Sequence, residues 1–334
     1  MIVPTLARML IREHLHRPIK GRVLTLGRQT VAMNYEQLIQ LLEQENFSIS
    51  DQVLKDIKIK YDNQTRVGKK NTDFISDEVF FNLLGVKQLS VMDVSEYESA
   101  DILHDLNKPI PASLEGQFDF IIDGGTFDHL LDLRVAFENV VKMLKTGGRV
   151  FQWNAASNFT GDTYLSFSPD FFYDYYTLNK FTDCKVYLVE TDVRGGQREP
   201  WDVYEFSGTK YRYFHSKRIL MVIVLAEKGA NSTYDGIPIQ SQYRDDHILQ
   251  IYKDGQKAIS LSDRKPYKGS ELGMKINSSE INKPVRKSIF NKIVSKYKEK
   301  GLAWVFYKCL NNLNPFSRKP ERREVEGYRY VGKI

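Results

Sequence analysis

The sequence predicts an α/β fold in which a doubly wound, mostly parallel sheet of seven strands has helices on both of its faces. Short apolar runs alternate along the chain with segments whose apolar residues recur every three or four positions, which is the pattern of strands alternating with amphipathic helices. The apolar runs are continuous, as expected of strands that are buried on both faces of a parallel sheet. Alternation of this kind is typical of βαβ units.

The first unit begins near the amino terminus. Apolar residues at helical spacing indicate a short helix over residues 6–14 that ends before Pro18. Residues 21–27 form an apolar run that ends at glycine, which indicates a buried strand leading into a turn. Asn34 is a favourable N-cap for a helix over residues 35–44. Strand, glycine turn and helix in this order are the beginning of an α/β unit.

The remaining elements follow from the same two patterns. Six further strands are predicted over residues 88–94, 100–106, 118–123, 149–153, 185–189 and 219–225. Helices are predicted from residue 76, over residues 130–144 and from residue 168. Ser168, Pro169 and Asp170 place a capping hydroxyl, a proline and an acid where that last helix begins. Residues 46–72 are polar and lack clear periodicity, so we interpret them as an insertion.

The composition is that of a globular protein. Of the 334 residues, 27% are charged and 42% are hydrophobic, which excludes collagen-like, disordered and disulfide-rich classes. The longest apolar runs are shorter than the roughly 20 residues of a membrane-spanning helix. Charges at Arg8, Arg12 and Glu13 interrupt the first apolar residues, so no signal peptide is expected. Cys184 and Cys309 are far apart, so we expect no structural zinc and a cytoplasmic protein.

The net charge of +6 is unevenly distributed. Residues 1–249 contain 28 Lys and Arg against 34 Asp and Glu, whereas residues 250–334 contain 20 against 8. We predict three regions: a main domain over residues 1–228, an irregular linker over 229–284 and a basic helical extension over 285–334. Because the main domain is acidic and contains no recognised nucleic-acid module, we expect no nucleic acid as a partner.

The basic extension has two interpretations. Residues 285–312 place apolar side chains along one helical stripe and lysines elsewhere, and residues 302–307 add an aromatic and apolar patch. Such a helix is typical of a segment that lies in a membrane interface, so one prediction is peripheral contact with a membrane. The other is that the stripe packs against the main domain or against a second subunit, with the lysines in solvent. The sequence makes no prediction about oligomeric state.

Residues suited to a nucleoside stand at the predicted carboxyl ends of the strands, where doubly wound sheets bind ligands. They are Gly27, Asp93, Asp105, Leu106, Asp123 and Gly124. A glycine after the first strand lets the backbone approach a ligand closely, because no Cβ intervenes. An acid that ends the second strand can accept hydrogen bonds from a ribose, and an acid near the end of the third can receive an adenine amino group. Together these residues predict an adenosine site.

Two pairs of segments resemble a known family. FDFIID at residues 118–123, followed by MLKTGGRV at residues 143–150, resembles the class I S-adenosylmethionine-dependent methyltransferases, whose fold is Rossmann-like. The resemblance extends over residues 20–228. DGGTFDH at residues 123–129 and FSPDFF at residues 167–172 are similar to an uncharacterised bacterial branch of this family, which is loosely associated with polysaccharide biosynthesis.

The resemblance implies methyl transfer from S-adenosylmethionine, most simply to a hydroxyl of a sugar or of another small molecule of a glycan pathway. The implied cofactor-binding residues are Gly27, Arg28, Asp93, Asp105, Leu106, Asp123 and Gly124. Methyl transfer needs the acceptor to be positioned and water to be excluded, and a general base helps where the acceptor is a hydroxyl. His129 follows the fourth strand by a few residues, which makes it the candidate base. Its alternative role is packing beneath the cofactor loop.

Two departures from the family pattern leave alternatives open. Only Gly27 remains of three alternating glycines, because Arg28 and Gln29 follow, although Arg28 can pair with the cofactor's carboxylate. Gly27 and Asp93 are 66 positions apart, against about 20 in an adenosine-binding βαβ unit, and the insertion over residues 46–72 accounts for most of the excess. One alternative is a degenerate, non-catalytic binding module recruited by its basic tail. A nicotinamide-dependent reductase is disfavoured, because the glycines that hold a pyrophosphate are missing.

Two loops are expected to cover the acceptor. Residues 158–164 and 191–217 are rich in aromatic residues. Aromatic faces with polar groups suit a sugar or another polar organic molecule, although the same aromatics can simply pack the loops against the domain. Asp128, His129 and Asp132 offer only oxygen and one imidazole, and acids at the start of a helix explain them better than a metal does. No metal is predicted.

Overall fold

The sheet is larger than the sequence predicts. The computed structural model describes residues 1–49, 53, 57–191, 201–206, 214–240 and 328–333. These residues form one sheet of nine strands, so the predicted number of seven is wrong. The strands are β1 (Arg22–Leu26), β2 (Gln88–Asp93), β3 (Ile102–Leu103), β4 (Phe118–Asp123), β5 (Leu144–Ser157), β6 (Asp183–Thr191), β7 (Asp202–Phe206), β8 (Ile219–Glu227) and β9 (Tyr328–Lys333). Their order across the sheet is β3-β2-β1-β4-β5-β8-β6-β7-β9.

The helices begin close to where the sequence predicts them. Those with described bounds are α1 (Pro4–His16), α2 (Tyr35–Gln44), α3 (Asp77–Leu83), α4 (Leu133–Met143) and α5 (Pro169–Leu178). Asn34 caps α2 as predicted, because its side chain accepts a hydrogen bond from the backbone N–H of Gln37 at 2.8 Å. Helix α4 packs against α5 through Phe137, whose ring centroid lies 4.3 Å from that of Tyr175. Within the described residues, no helix has the length and apolar character needed to cross a membrane.

The strand order reverses beside β1. This strand pairs in parallel with β2 on one side and with β4 on the other, and β4 pairs in parallel with β5. The predicted doubly wound arrangement is therefore confirmed for this half of the sheet. Because the chain proceeds from β1 to β2 on one side and from β4 to β5 on the other, a crevice is expected at the carboxyl ends of β1 and β4, where sheets of this kind bind ligands.

The other half of the sheet is antiparallel. Strand β8 lies between β5 and β6 and runs antiparallel to both. Strand β7 is antiparallel to β6, and β9 is antiparallel to β7. Among the described strands, seven therefore run in one direction, and β7 and β8 run in the other. A dinucleotide-binding sheet has the order 3-2-1-4-5-6, so this sheet departs from it at β8.

The local sequence pattern does not predict β7 and β9. The sequence of β7 is DVYEF, and its two acids interrupt the apolar run, yet all five of its residues are buried. Asp202 pairs with Arg218 at 2.8 Å, and Glu205 pairs with Arg329 of β9. Since both partners are distant in sequence, a local pattern cannot show that these charges are neutralised. Strand β9 lies within the segment predicted as a basic helical extension.

Two predicted strands, β3 and β5, differ most in length from the observed ones. Strand β3 was expected over residues 100–106 but contains only Ile102–Leu103. The chain turns directly after it, because the side chain of Asp105 accepts a hydrogen bond from the backbone N–H of Asn107 at 3.0 Å. Strand β5 is longer than the predicted residues 149–153, because it continues along β8 as far as Ser157.

Helix α1 is fastened to β5 by a buried ion pair. Glu13 pairs with Arg149, and both side chains are less than a tenth exposed. Arg149 also donates hydrogen bonds to the backbone oxygens of Arg17 at 2.9 Å and Pro18 at 3.1 Å. Burial lowers the pKa of Arg149, and the carboxylate of Glu13 opposes this effect. The pair therefore holds the turn between α1 and β1 against the middle of β5.

The predicted regions are covered unevenly. The insertion at residues 46–72 has little regular structure where it is described, with one short 3-10 turn at Gly68–Lys70. The predicted amphipathic helix over residues 285–312 lies outside the described residues. The boundaries at residues 228 and 284 stay predictions, although residues 328–333 belong to the sheet of the main domain.

Candidate active site

Gly27 and Asp93 meet at the carboxyl ends of β1 and β2. The backbone of Gly27 has a φ of +73°, and a Cβ placed on it would come within 3.9 Å of Asp93 Oδ2 and 3.6 Å of Thr126 Oγ1. Thr126 donates a hydrogen bond from Oγ1 to the backbone oxygen of Leu26 at 2.8 Å. The structure therefore brings the predicted glycine and the predicted ribose-binding acid together, with Thr126 beside them. Sequence analysis missed Thr126, because only the fold places it next to β1.

One oxygen of Asp93 is available to a ligand. Its Oδ1 accepts a hydrogen bond from the backbone N–H of Ser95 at 3.2 Å. Its Oδ2 has no hydrogen-bond partner among the described residues, and the side chain is half-buried. A fixed carboxylate with one oxygen left over is able to accept a hydrogen bond from a hydroxyl group.

Asp105 and Leu106 form a turn after β3. Asp105 Oδ1 accepts hydrogen bonds from the backbone and side-chain nitrogens of Asn107, both at 3.0 Å, and these bonds lower the pKa of Asp105. Leu106 is buried in the main core. The side-chain oxygen of Asn107 accepts from the backbone nitrogens of Leu131 and Asp132, at 3.0 and 2.9 Å. Asn107 therefore ties this turn to the segment before α4, a role that sequence analysis did not predict.

The side chain of Arg28 is engaged with the chain itself. Its guanidinium pairs with Asp77 at 3.0 Å and donates to the backbone oxygens of Glu98 and Ser99, both at 2.7 Å. The side chains of Arg28 and Asp77 are almost completely buried. Burial raises the pKa of Asp77 to about 6, and Arg28 opposes that rise. These contacts hold the loop after β1, so the predicted pairing of Arg28 with a cofactor carboxylate would have to compete with them.

Gln29 fills the position that the family pattern gives to a second glycine. Its amide nitrogen donates to the backbone oxygens of Leu26 at 3.3 Å and of Gly27 at 3.1 Å, and the residue is buried. A Cβ on Gly124 would overlap the side-chain oxygen of Gln29. A larger residue at position 124 would therefore displace the end of the Gln29 side chain, which fills space between β1 and β4 that a second glycine would leave open.

Asp123 is the most enclosed of the predicted residues. Its Oδ1 accepts from three successive backbone nitrogens, those of residues 125–127, at 3.2, 2.7 and 3.3 Å. Its Oδ2 accepts from the side-chain amides of Gln152 at 3.2 Å and Asn154 at 2.7 Å. Complete burial raises the pKa of Asp123, and these donors oppose it. With five bonds inside the chain, Asp123 shapes the turn after β4.

A cavity of about 240 Å³ opens beside this turn. Its walls come from the turn after β4, from β5 and β8, and from the segments before β7 and after β5. The lining residues are Met1, Val3, Gly124, Gly125, Asp128, His129, Trp153, Phe159, Asp162, Thr163, Thr191, Trp201, Ile219 and Met221. The rings of Trp153 and Trp201 are stacked, with their centroids 4.8 Å apart and their planes 4° from parallel. The two loops predicted to cover the acceptor both contribute to this cavity.

Asp128 lies in the wall of the cavity with one oxygen unsatisfied. Its Oδ2 accepts a hydrogen bond from the backbone N–H of Ala155 at 3.3 Å, and its own backbone N–H donates to Asn154 Oδ1 at 3.2 Å. Its Oδ1 is buried and has no hydrogen-bond partner in the described part of the chain. Burial, followed by the nearby carboxylate of Asp123, raises the pKa of Asp128 to about 6. Sequence analysis weighed Asp128 only as a metal ligand or a helix-start acid.

His129 stands at the mouth of the same cavity. Its side chain is 51% exposed, and its Nε2 lies 3.7 Å from Asp128 Oδ1. Its ring meets that of Tyr164 edge to face, with the centroids 6.3 Å apart. The structure therefore brings the predicted base next to Asp128. Across the described ranges, no group of three or more His, Cys, Asp or Glu residues is arranged to hold a metal ion.

Comparisons with known proteins add little to this geometry. No family model matches the chain, and no curated protein matches it. Among solved structures, a protein described as a zinc-dependent alcohol dehydrogenase from Rhodobacter sphaeroides is 13% identical, with 46% of each chain covered and a TM-score of 0.24. The CMeT domain of the citrinin polyketide synthase is 10% identical, with 68% of this chain and 52% of that chain covered and a TM-score of 0.34.

A SAM-dependent methyltransferase from Thermotoga maritima is 17% identical, with 67% of this chain and 88% of that chain covered and a TM-score of 0.33. The chain spans about half the length of the first two proteins. TM-scores this low do not establish a common fold. The strand order and the side chains of this chain therefore carry the functional interpretation.

Proposed function

We propose that this chain transfers a methyl group from S-adenosylmethionine to a hydroxyl of a sugar or of another small molecule of a glycan pathway. The observation that carries the proposal is the meeting of Gly27 with Asp93 Oδ2, which has no hydrogen-bond partner among the described residues, at the point where the strand order reverses. Support also comes from the aromatic cavity beside the turn after β4, which Gly124 and Gly125 line. The departure of the sheet from the 3-2-1-4-5-6 order speaks against a nicotinamide-dependent reductase.

The residues at the strand ends fit the nucleoside half of the cofactor best. Asp93 would accept the ribose hydroxyls, Gly27 would allow a close backbone approach, and the turn at Asp105 and Leu106 would border the adenine. We assign Arg28 and Asp123 to the support of the two turns, because their polar atoms are engaged within the chain. S-adenosylmethionine supplies a methyl group that its positively charged sulfur has already activated.

The chain's own contribution to the reaction is positioning and proton transfer. The walls of the cavity would hold the acceptor and keep water away from it, which favours a displacement between two bound molecules. A base is needed to receive the hydroxyl proton. Asp128 and His129 are titratable side chains that line the cavity close to Gly124 and Gly125, and either can fill this role.

Replacing Asp93 by alanine is expected to weaken binding of S-adenosylhomocysteine by about 1.5–3 kcal/mol, because a charge-assisted hydrogen bond is lost. Isothermal titration calorimetry with the wild-type chain and with Asp93→Ala measures the difference. Glu96→Ala is the matched control, because it removes one exposed carboxylate three residues further along the chain. Equal affinity of folded Asp93→Ala and the wild type would remove the ribose assignment.

A non-catalytic binding module is the second candidate function. The observation in its favour is Gln29, whose side chain occupies the space between β1 and Gly124. In such a module the sheet and its cavity would remain, but the methyl donor would not enter. The same calorimetry separates the candidates, because a module of this kind gives no heat with either S-adenosylmethionine or S-adenosylhomocysteine.

We propose that the basic tail makes a reversible contact with anionic membranes. A variant with five lysines of the tail replaced by glutamine is expected to bind anionic vesicles at low salt more than 100-fold more weakly in a sedimentation assay, since each basic residue near such a surface contributes about 1 kcal/mol. The replaced residues are Lys287, Lys292, Lys296, Lys298 and Lys300. Neutral vesicles are the control. If the wild-type chain stays in the supernatant with both kinds of vesicle, the apolar stripe packs against protein instead.

A further inference from the structure

We infer that the cavity lined by Trp153 and Trp201 binds an uncharged ring bearing hydroxyl groups, and that Asp128 takes the proton of the hydroxyl that is methylated. The inference rests on the proposed methyl transfer and goes beyond it in two ways. It names the chemistry of the acceptor, and it assigns the proton to Asp128 and not to His129.

Asp128 has an unsatisfied carboxylate oxygen in the cavity wall. The side chain of Asp128 is only 3% exposed, and its Oδ1 has no hydrogen-bond partner within the described residues. The backbone N–H of Ala155 holds the other oxygen, so the carboxylate is fixed. A buried polar atom left without a partner costs about 1–3 kcal/mol. A ligand that donates an O–H or N–H group to Oδ1 would remove this cost.

Trp201, which lines the same cavity, has an unsatisfied hydrogen-bond donor. Trp201 is completely buried, and its Nε1 also lacks a partner among the residues that the structure describes. An indole N–H can only donate, so a ligand that satisfies it must offer an acceptor. A hydroxylated ring offers donors to Asp128 and acceptors to Trp201, whereas a protonated amine offers only donors. The pair of unsatisfied atoms therefore favours a ligand that offers both donors and acceptors, as a hydroxylated ring does.

The charge and the volume of the cavity further restrict the class of ligand that it can bind. The cavity is lined by the carboxylates of Asp128 and Asp162 and by Met1, whose amino group has its pKa lowered by burial; the described lining contains no lysine or arginine, so a phosphate or carboxylate is disfavoured. The volume of about 240 Å³ lies below the range of about 300–1,000 Å³ that is usual for drug-sized ligands, so one ring with its substituents is the expected occupant. The stacked indoles of Trp153 and Trp201 provide an apolar wall for such a ring.

Methylation of the hydroxyl group releases its proton, and Asp128 receives it. The hydroxyl oxygen forms a bond to the methyl carbon, the carbon–sulfur bond breaks, and its electron pair stays on sulfur, which becomes a neutral thioether. The hydroxyl proton moves to Asp128 Oδ1. Burial raises the pKa of Asp128 to about 6, which makes it a stronger base than an exposed aspartate. His129 has its ring half in solvent, where water competes for any proton transfer.

Binding is tested first without any methyl donor. Saturation-transfer NMR with methyl glucoside and myo-inositol as one arm, and with phenol and catechol as the other, separates sugars from aromatic alcohols. Asp128→Asn is expected to weaken binding of the preferred probe at least tenfold, and Trp201→Phe, which keeps an aromatic ring but loses the N–H, at least threefold. Asp132→Asn is the control, because it removes an exposed charge nearby and keeps a residue able to cap α4.

The proton transfer is tested with the bound probe as acceptor. The wild-type rate is expected to rise with pH through about 6 and then level off, because the base must be unprotonated. The charged groups nearest to Asp128 are Asp123 of β4, His129 and the amino group of Met1. If Asp128 is the base, His129→Ala is expected to keep the rise of the rate with pH. Asp128→Asn is expected to abolish that rise and to lower the rate about 10²–10⁴-fold.

The outcomes distinguish this inference from the proposed function. If S-adenosylhomocysteine binds but none of the four probes does, the inference about the cavity is overturned and methyl transfer stands. Equal binding to the wild type and to Asp128→Asn, or a pH rise that disappears in His129→Ala, overturns the role of Asp128. If a probe binds through Asp128 but S-adenosylhomocysteine does not, methyl transfer fails, and the proton assignment fails with it.

Discussion

Replacing Glu13 by glutamine is expected to lower the free energy of unfolding by about 3–5 kcal/mol, the usual cost of removing one partner from a buried ion pair. Glutamine has nearly the same shape, but it leaves the guanidinium of Arg149 in the interior without its counter-charge. Of the other charges nearby, Arg17 disfavours the charged form of Arg149 and Glu227 favours it, so neither replaces the direct pairing with Glu13. Equilibrium unfolding in urea, followed by far-ultraviolet circular dichroism, measures the loss.

The matched control is Glu43→Gln, which makes the same substitution at an exposed position near the end of α2. Its unfolding free energy is expected to stay within about 0.5 kcal/mol of the wild type. A paired replacement, Glu13→Leu with Arg149→Met, should recover much of the lost stability, because apolar residues remove both buried charges together. A loss below about 1 kcal/mol in Glu13→Gln would mean that water reaches Arg149.

Asp123→Asn is expected to cost about 3–5 kcal/mol of stability, although it changes only one atom of the side chain. Five N–H groups point at the two carboxylate oxygens of Asp123. An asparagine places an NH2 group against either the backbone donors or the side-chain amides, and the buried donors on that side lose their acceptor. The turn that carries Gly124 and Asp128 should loosen as a result.

Hydrogen exchange of the backbone amides of residues 125–127 gives a local measure of the same change. These amides are expected to exchange faster in Asp123→Asn, while those at the centre of β6 keep their protection relative to global unfolding. Asp235→Asn is the control for the loss of one negative charge, because Asp235 is exposed. Unchanged exchange at residues 125–127 would show that asparagine fits the network as well as aspartate does.

Elements made by short-range patterns were predictable from the sequence. Strand β4 has the predicted bounds, and α2 begins at its predicted cap, because burial and capping there depend on neighbouring residues. Strand β7 was not predictable, since its acids are neutralised by Arg218 and Arg329, which come from other parts of the chain. The antiparallel direction of β8 was not predictable either, because a continuous apolar run is compatible with both a parallel and an antiparallel strand.

The candidate site shows the same division. Gly27 and Asp93 could be placed at adjacent strand ends, since a parallel sheet brings such ends to one edge. The importance of Asp128 could not be foreseen, because its burial depends on Ala155 and on the loop at residues 164–165, whose backbone nitrogens bond to the Asp128 carbonyl. The sequence also could not show that the Gln29 side chain fills the space of the missing glycine, because that depends on where Gly124 lies in the fold.

Strand β9 determines which backbone N–H and C=O groups at this edge of the sheet remain unpaired and accessible to other molecules. It occupies the outer side of β7, whose residues Val203, Tyr204 and Phe206 would otherwise form an apolar edge that invites strand addition and aggregation. β9 itself carries Arg329, and its register shifts opposite Val203, features that discourage further pairing. A chain cut before residue 328 should therefore self-associate, so any variant lacking the basic tail needs an internal deletion that rejoins Gln240 to the residues preceding Tyr328.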